Sequence, residues 1–321
     1  MKRIGNGLYE SIISKENLET AHDNAKRGKL NYKSVSVVED NVVSHIRTLR
    51  RLLKSRKFST GEYTIKERVE GGKLREIYSL PYFPDRIVQH AILQKVGDRF
   101  VKSFIRDTFQ SIKGRGTSDA RKRVYRFIKR EKPTYYLQMD IRKYYPSVNN
   151  ERLKAKIRRI LKCKDTLELL DNIIDSCEGL PIGNYTSQVL GNYYLTDFDW
   201  FVKQELCVKG YFRYCDDLVF FGGSSSELES IRVKAVRFLR REGLQVKPDW
   251  KIAKLNTGCD FVGYQFYEYG FKLRKKIYKS AKMALSTNNK KSIPSYFGWV
   301  KTINDSDIKR RYYNAIKCKK K

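Results

Sequence analysis

The chain has 321 residues, of which 67 are Lys or Arg and 35 are Asp or Glu, so its formal net charge is +32. With 40% hydrophobic and 13% aromatic residues, it is too apolar for an intrinsically disordered protein. No uninterrupted run of about 18 apolar residues is present and no apolar block lies near the start, so we expect neither a transmembrane helix nor a secretory signal. Six Cys without CxxC spacing favour reduced thiols in a cytosol over a zinc site or disulfides. The charge favours a polyanionic partner, first of all nucleic acid.

The first third of the chain is predicted to be mainly helical. After short helices and turns, apolar spacing predicts one amphipathic helix over Asp40–Lys54. Alternating residues in Tyr63–Val69 and Leu74–Leu80 predict a β-hairpin. A helix is then expected from Arg86 towards Phe104. The polar Gly loop that follows is too generic to indicate a phosphate-binding loop.

The remainder of the chain alternates between strands and helices and shows no repeat or linker. We therefore expect strands and helices to belong to one continuous α+β body. The predicted elements, in chain order, are a strand at Tyr135–Ile141, a helical region at Asn150–Cys177, a helix at Ser187–Val202, a hairpin at Tyr211–Tyr214 and Leu218–Phe221, a helix at Ser226–Glu242, a hairpin at Cys259–Phe266 and Phe271–Leu273, and a basic helical tail.

Three acidic residues lie at the ends of apolar strands. Asp140 comes near the end of one strand, and Asp216 and Asp217 form the tip of an apolar hairpin. Carboxylates side by side at buried strand ends are unfavourable unless a cation neutralises them. Mg²⁺ prefers such oxygen ligands, and two ions about 3.5–4 Å apart can promote an in-line displacement at phosphorus. An isolated Asp-Asp pair would more simply be a surface turn, but the apolar flanks and the third Asp favour a metal site.

These residues resemble the motifs of reverse transcriptases. Tyr214-Cys-Asp-Asp resembles their Tyr-x-Asp-Asp box, and Asp140-Ile-Arg-Lys-Tyr-Tyr-Pro-Ser-Val resembles their first palm motif. Leu180-Pro-Ile-Gly-Asn-Tyr-Thr-Ser-Gln resembles the enzymes of bacterial diversity-generating retroelements, whereas many other members have Pro-Gln-Gly here. Arg75-Glu-Ile-Tyr-Ser-Leu-Pro is similar to a fingers motif, and Phe261-Val-Gly-Tyr is similar to the primer-grip turn. The resemblance extends in order over nearly the whole chain.

The resemblance implies a right-hand polymerase fold of class α+β. Residues 1–95, with 149–180, would form the fingers. Residues 96–148 and 181–268 would form the palm, with an antiparallel sheet and the catalytic centre, and residues 269–321 would form a small, basic helical thumb. We expect neither an endonuclease nor an RNase H domain.

The same resemblance implies roles for individual residues. Asp140, Asp216 and Asp217, with the Ile141 carbonyl, would bind two Mg²⁺ ions, for which Mn²⁺ could substitute. Lys251 would donate a proton to the leaving pyrophosphate, although Lys247, Lys254 or a plain surface role for Lys251 are alternatives.

Further residues are implied at the nucleotide. Lys73 and Arg75 would bind the triphosphate, although they could simply be a solvated hairpin face. Tyr145 would pack under the sugar, although it or the neighbouring Tyr144 could be a core ring. The residues implied beside the nucleotide or template are Ile182, Gly183, Ser187 and Gln188.

The function implied is that of an RNA-directed DNA polymerase of a diversity-generating retroelement, which copies a template RNA into cDNA from dNTPs. Ile182 stands where other members have Gln, so an apolar contact replaces an amide hydrogen bond and predicts low fidelity at template adenines. A structured noncoding RNA, an RNA:DNA hybrid and a small accessory protein are the expected partners, in the cytoplasm of a bacterium or encoded by a phage, without a membrane.

Two other functions are compatible with parts of the pattern. A related antiphage-defence or retron-type enzyme would make DNA from its own noncoding RNA with the same catalytic residues. A non-catalytic RNA-binding factor on the same scaffold would be expected to lack one or more of the three acids, and all three are present.

Overall fold

The computed structural model describes residues 3–70 and 73–317. The chain divides into two compact units, so the expected single continuous body is wrong. The helical unit comprises the chain up to Arg106 with Ile141–Glu205 and Ala235–Val246. The sheet unit comprises Asp107–Asp140, Leu206–Lys234 and the chain from Lys247 onward. The predicted fingers, palm and thumb are a finer division and stay a prediction.

The secondary structure is mixed. The helices are α1 (Leu8–Ile12), α2 (Lys15–Ala25), α3 (Lys33–Glu39), α4 (Val42–Lys54), α5 (Ile87–Ser103), α6 (Thr117–Glu131), α7 (Asn150–Arg158), α8 (Lys164–Ile174), α9 (Tyr185–Tyr194), α10 (Thr196–Trp200), α11 (Ser225–Arg241), α12 (Lys275–Ser286), α13 (Ile293–Val300) and α14 (Ser306–Lys317). The strands are β1 (Thr64–Glu70), β2 (Lys73–Ser79), β3 (Thr108–Phe109), β4 (Tyr135–Asp140), β5 (Gly210–Tyr214), β6 (Asp217–Gly222), β7 (Lys251–Lys254), β8 (Cys259–Phe261), β9 (Tyr264–Tyr267) and β10 (Gly270–Leu273).

Helix α5 lies at the centre of the helical unit and contacts α1, α2 and α9. Its buried residues include Ile87, Ile92, Val96 and Phe100, which do not follow a single stripe. A helix that is apolar on most of its circumference is stable only when other helices cover it. This helix therefore organises the core of its unit.

Helix α4 shows how the sequence sets a boundary. The predicted helix began at Asp40, but α4 begins at Val42, because the Asn41 side chain accepts a hydrogen bond from the Ser44 N–H at 3.2 Å and caps the helix. Its buried residues, Ile46, Leu49 and Leu53, share one face. The expected amphipathic helix is present, two residues shorter.

Two longer helical predictions are interrupted. The region from Asn150 to Cys177 forms α7 and α8, separated by a short connection. The helix expected over Ser187–Val202 begins earlier and breaks at Leu195, after which α10 follows. Apolar periodicity continues across both breaks, because both flanking helices bury residues in the same core.

In the sheet unit, the strands of the main sheet lie in the order β3-β5-β6-β4-β7. Strands β3 and β5 are parallel, and the other neighbours are antiparallel. Strand β7 was not predicted, because it is short and exposed at its ends and shows no apolar alternation. The sheet brings the ends of β4 and β6 together, where the three acids lie.

The second sheet has the order β10-β9-β8. The segment Cys259–Phe266, predicted as one strand, turns at Val262-Gly263 and forms β8 and β9. Rings from this sheet pack against α13: the Tyr264 and Trp299 centroids lie 5.3 Å apart. The basic tail therefore packs its apolar faces on this sheet and keeps its charges outside.

Within the described part of the chain, no helix has the length and apolar character needed to cross a membrane. Cys163, Cys177 and Cys259 are free thiols, as expected.

Candidate active site

Strand pairing brings the predicted catalytic acids together. Asp140, the last residue of β4, is the register partner of Asp217, the first residue of β6. Directly opposed residues of an antiparallel pair have Cα atoms about 4.5–5.5 Å apart. Asp216 lies in the turn between β5 and β6, immediately before Asp217. One end of the sheet therefore carries three neighbouring carboxyl groups.

The turn that carries Asp216 has a conformation that few residues adopt. Cys215 has a φ of 58°, in the left-handed region, which is uncommon for a residue other than Gly. The Arg213 guanidinium, which is fully buried, donates to the Cys215 carbonyl oxygen at 3.0 Å. The Arg213 N–H also donates to the Asp107 carbonyl oxygen at 3.0 Å, which ties this strand to the chain before β3. Arg213 thus stabilises the turn, a role that sequence reasoning missed because the Arg sits in an otherwise apolar strand.

The three acids share a strongly negative, poorly solvated environment. Burial raises the pKa of Asp217 to about 8, and the Asp140 and Asp216 carboxylates add to the rise. Burial also raises the pKa of Asp216, with Asp140 as the next cause. A hydrogen bond from Gln138 opposes the rise at Asp217. The cluster therefore favours any cation that can approach it.

Lys247 supplies one positive charge at this cluster. Its ammonium contacts Asp140 Oδ1, and its backbone N–H donates to the Asp140 carbonyl oxygen at 2.8 Å. Lys251, the residue singled out from the sequence, is exposed on β7, with its ammonium 5.8 Å from the centroid of the Tyr136 ring. Of these two lysines, the structure places Lys247 on one of the three acids.

The acids fit a hard divalent cation by their chemistry. Their donors are all oxygen atoms, the charges on Asp216 and Asp217 are disfavoured without a counterion, and Asp140 already attracts an ammonium. Within residues 3–70 and 73–317, however, no group of three or more His, Cys, Asp and Glu side chains is arranged as a metal site. The three acids are neighbours through the pairing of β4 with β6 and the turn before β6.

In the helical unit, the Pro181-Ile182-Gly183 loop is bound to the backbone of β2. The Tyr78 N–H donates to the Ile182 carbonyl oxygen at 2.7 Å. Gly183 has a φ of +128°, and a Cβ built on it would lie 2.2 Å from the Tyr78 carbonyl oxygen. Only Gly permits this approach. The backbone position of Ile182 is thus fixed relative to the β1–β2 hairpin.

The two adjacent tyrosines differ in their surroundings. Tyr144 is buried, and its hydroxyl donates to the Gly191 carbonyl oxygen at 2.5 Å. Tyr145 is half-buried, its carbonyl accepts from the Leu180 N–H at 2.9 Å, and its ring lies beside Gly191. Tyr144 is therefore a core ring, whereas Tyr145 retains an accessible face next to the loop and α9.

Helix α9 carries Ser187 and Gln188, the last two residues predicted to lie beside the nucleotide or template. The Gln89 side chain accepts from the Tyr185 N–H at 2.9 Å and satisfies the start of the helix. Ser187 is buried, and Gln188 beside it is exposed. Ser187 thus faces the protein, and Gln188 is the more accessible of the two.

The β1–β2 hairpin presents two arginines side by side. Arg75 is exposed, and its register partner on β1 is Arg68, also exposed. Both guanidinium groups can donate charge-assisted hydrogen bonds to an anion. Arg68 was not singled out from the sequence, because its position follows from the hairpin register. The Lys73 side chain lies outside the described residues.

The predicted primer-grip turn is a tight hairpin turn between β8 and β9. Val262 and Gly263 have φ values of 46° and 86°, and two positive values are typical of a type I′ turn. A β-branched residue in this region is strained. A Cβ on Gly263 would lie 2.6 Å from the Trp299 ring, so α13 covers the turn closely.

Comparison with known proteins establishes the family. A family model described as "Reverse transcriptase (RNA-dependent DNA polymerase)" matches residues 65–266. This match covers more than half of the chain, so the chain belongs to the reverse transcriptase family, a family of nucleotidyltransferases. No curated protein sequence matches the chain significantly.

Solved structures agree on the fold. Apo telomerase from Candida tropicalis aligns with a TM-score of 0.50 and 13% identity over 73% of this chain and 54% of its own. The same protein truncated from its C-terminal domain aligns with a TM-score of 0.50 and 14% identity, over 71% of this chain and 59% of its own. Telomerase from Candida albicans in complex with the TWJ fragment of telomeric RNA aligns with a TM-score of 0.50 and 14% identity, over 73% of this chain and 52% of its own. The chain thus spans about half the length of these proteins. At this identity the likeness shows the fold alone, and it confirms the predicted right-hand polymerase fold.

The contact between Gly183 and Tyr78 can be tested directly. Gly183→Ala is expected to destabilise the protein by about 2 kcal/mol or more, because its Cβ would clash with a backbone oxygen and its φ would be strained. The midpoint of urea unfolding measures the change. As a control, Gly97→Ala in α5 meets no atom within 4 Å and is expected to be neutral or stabilising by up to about 1 kcal/mol. Equal midpoints for the two variants would contradict the contact.

Proposed function

We propose that the protein is the RNA-directed DNA polymerase of a diversity-generating retroelement and copies a template RNA into cDNA from dNTPs with low fidelity at template adenines. One observation carries the activity: three carboxyl groups, from Asp140, Asp216 and Asp217, meet at the paired ends of β4 and β6 in a chain of the reverse transcriptase family. A non-catalytic scaffold would not need to retain such a costly cluster.

The acids of the sheet unit would hold the metal ions, with the Ile141 carbonyl as a further ligand. Two Mg²⁺ ions, when bound, would lower the pKa of the primer 3′-hydroxyl and stabilise the charge on the leaving pyrophosphate. For its part, the protein would place Asp216 and Asp217 by the turn that Arg213 supports and Asp140 by its pairing with Asp217. Their rigidity would position the reacting groups.

Residues of the helical unit would bind the nucleotide. The adjacent, exposed Arg68 and Arg75 would receive the triphosphate, because guanidinium groups bind phosphate oxygens through charge-assisted hydrogen bonds. Lys73, on the same strand as Arg75, would also bind the triphosphate. Tyr145 would pack its accessible ring under the sugar and exclude a 2′-hydroxyl.

The loop and α9 would complete this set. Ile182 and Gly183 would lie beside the nucleotide, with the loop held on β2 by Tyr78. Gln188 would contact the nucleotide or template, and Ser187, which is buried, would support the helix.

Lysines would act at two stages. Lys247 would neutralise Asp140 in the absence of metal, and a bound cation would compete with its ammonium for the same carboxylate. Lys251 remains the proposed proton donor to pyrophosphate, since a Lys on the edge strand β7 has the freedom to move.

The activity is tested by Asp216→Asn. The substitution removes a proposed metal ligand at nearly constant volume, so primer extension on an RNA template with Mg²⁺ and dNTPs is expected to fall at least 10³-fold. The thermal unfolding midpoint without metal is expected to stay or rise, because one of three repelling carboxylates is gone. Extension at the parental rate by a folded variant would refute the proposal.

The contact between Lys247 and Asp140 is expected to weaken Mg²⁺ binding by the three acids, which can be tested by substitution. In Lys247→Gln, the ammonium no longer competes at Asp140, and a partly exposed ion pair is worth about 1 kcal/mol, so the Mg²⁺ concentration at half-maximal thermal shift is expected to fall about fivefold. The unfolding midpoint in EDTA is expected to fall, because Asp140 loses its counterion. Lys254→Gln, on the exposed end of β7, is the matched control and should change neither value. The same Mg²⁺ midpoint in Lys247→Gln and parent would contradict the competition.

Ile182 supports the low-fidelity subtype. Because hydrogen bonding by the Ile182 and Tyr78 backbones sets the loop position, Ile182→Gln should alter the side chain while leaving the loop in place. The variant is expected to misincorporate opposite template adenine several-fold less often than the parent, measured by sequencing products of a defined template. Equal error rates would break the link between Ile182 and fidelity and would favour the related antiphage-defence or retron-type function.

The proposed partners follow from this function. They are the template RNA, the RNA:DNA hybrid, a structured noncoding RNA and a small accessory protein, in the cytoplasm. The net charge of +32 supports the nucleic-acid partners.

A further inference from the structure

A basic groove runs along α4 in the helical unit. It is a cavity of about 270 Å³ in which cations surround a small apolar floor. None of its residues is among those proposed to bind metal or nucleotide. The residues that line this α4 groove are Lys15, Val43, Ile46, Arg47, Arg50, Arg51 and Lys54.

The groove follows from the helical pattern of the sequence. The α4 residues that line it are spaced i, i+3, i+4, i+7, i+8 and i+11, which is one continuous stripe on a helix. Leu49 and Leu53 are buried beneath this stripe, and its four basic side chains are all exposed. From Arg47 to Lys54 the helix rises about 10 Å. The sequence therefore aligns four positive charges in a row.

Most of the positive charge along the α4 groove is not compensated by neighbouring acids. Within the described residues, no ion pair involves the four cations Arg47, Arg50, Arg51 and Lys54. Nearby, hydrogen bonds from its own backbone N–H and from Ser14 lower the pKa of Glu16, with Arg50 as a lesser cause, and Glu19 pairs with Lys15 at 3.8 Å. Of the two acids that precede α4, Glu39 is bound by His22 and Lys26, and Asp40 is the C-cap residue of α3.

The basic residue that follows α4 differs from these four cations. Arg56, two residues beyond α4, has an acidic partner, Asp165, at 2.5 Å. The four cations of the groove thus repel one another over a short distance, which is unfavourable unless a polyanion lies against them.

We propose that the α4 groove binds the sugar-phosphate backbone of the RNA outside the stretch that is being copied. This inference rests on the proposed function. A phosphate chain carries one charge per nucleotide at a short, regular repeat, which suits four cations in line. An acidic protein would need larger apolar anchors than Val43 and the floor of the groove offer. The groove would hold the RNA while other residues copy it.

The test removes the four charges together. In Arg47→Gln/Arg50→Gln/Arg51→Gln/Lys54→Gln, each lost phosphate contact is expected to reduce the slope of log K against log salt by about 0.7–0.9, so the slope should fall by about 3 in total. Binding is measured by fluorescence anisotropy between low and moderate salt, with a structured RNA hairpin that has long single-stranded flanks. Affinity at low salt is expected to fall at least tenfold. Gln preserves helix propensity, and an unchanged unfolding midpoint confirms the fold.

A matched variant separates a local site from bulk charge. Lys234→Gln/Arg237→Gln/Arg240→Gln/Arg241→Gln on α11 removes the same charge from exposed positions and is expected to change the slope by less than about 1. Arg47→Lys/Arg50→Lys/Arg51→Lys keeps the charge and should retain most of the affinity. Equal losses in the two Gln variants, or an unchanged slope in the α4 variant, would overturn the inference.

Primer extension distinguishes the two proposals. On a short primer-template too small to reach beyond the copied stretch, the α4 variant is expected to extend at the parental rate. Loss of extension in that variant on the short substrate would place α4 in the copying machinery and overturn the inference, although the polymerase proposal would stand. Absence of extension by the parent would instead refute the proposed function.

Discussion

The repulsion among three carboxyl groups is the constraint on which this structure depends. Asp140, Asp216 and Asp217 are brought together by the pairing of β4 with β6, and burial with mutual repulsion raises the pKa of Asp217 to about 8. The sheet core supports this arrangement, because apolar residues on both sides of the β5–β6 hairpin fix its register. The protein tolerates the cost by placing a cation, the Lys247 ammonium, on Asp140.

Hydrogen bonds to backbone carbonyl oxygens position the remaining proposed residues. The Tyr78 N–H holds the loop at Ile182, and the buried Arg213 guanidinium holds the turn at Cys215. In both contacts the acceptor is a backbone oxygen, so a new side chain at 182 or 215 leaves that acceptor in place. In a scaffold of this kind, a substitution at 182 changes the side chain and leaves the backbone contact of the loop in place.

Charge on this protein serves more than one purpose. Lys247 neutralises acids, Arg68 and Arg75 form a pair that suits an anion, and α4 carries a row of cations without acidic partners. These sets are chemically distinct, since Lys247 lies on a carboxylate, whereas the two arginines of the hairpin and the cations of α4 are exposed on the surface. The net charge of +32 is thus in part a sum of separate local requirements.

The sequence by itself determined the strands that carry the acids, the β1–β2 hairpin and the amphipathic α4, because periodicity and turn chemistry act over a few residues. It also indicated the family through short motifs. Only the tertiary structure decided that Lys247 contacts Asp140, that Arg213 is buried beneath the turn, and that the chain forms two units. These features join segments that are far apart in the chain, and local pattern carries no information about which distant segments pack together. The division of Cys259–Phe266 into two strands, β8 and β9, was also missed, since an apolar run predicts burial but does not by itself show where a strand ends.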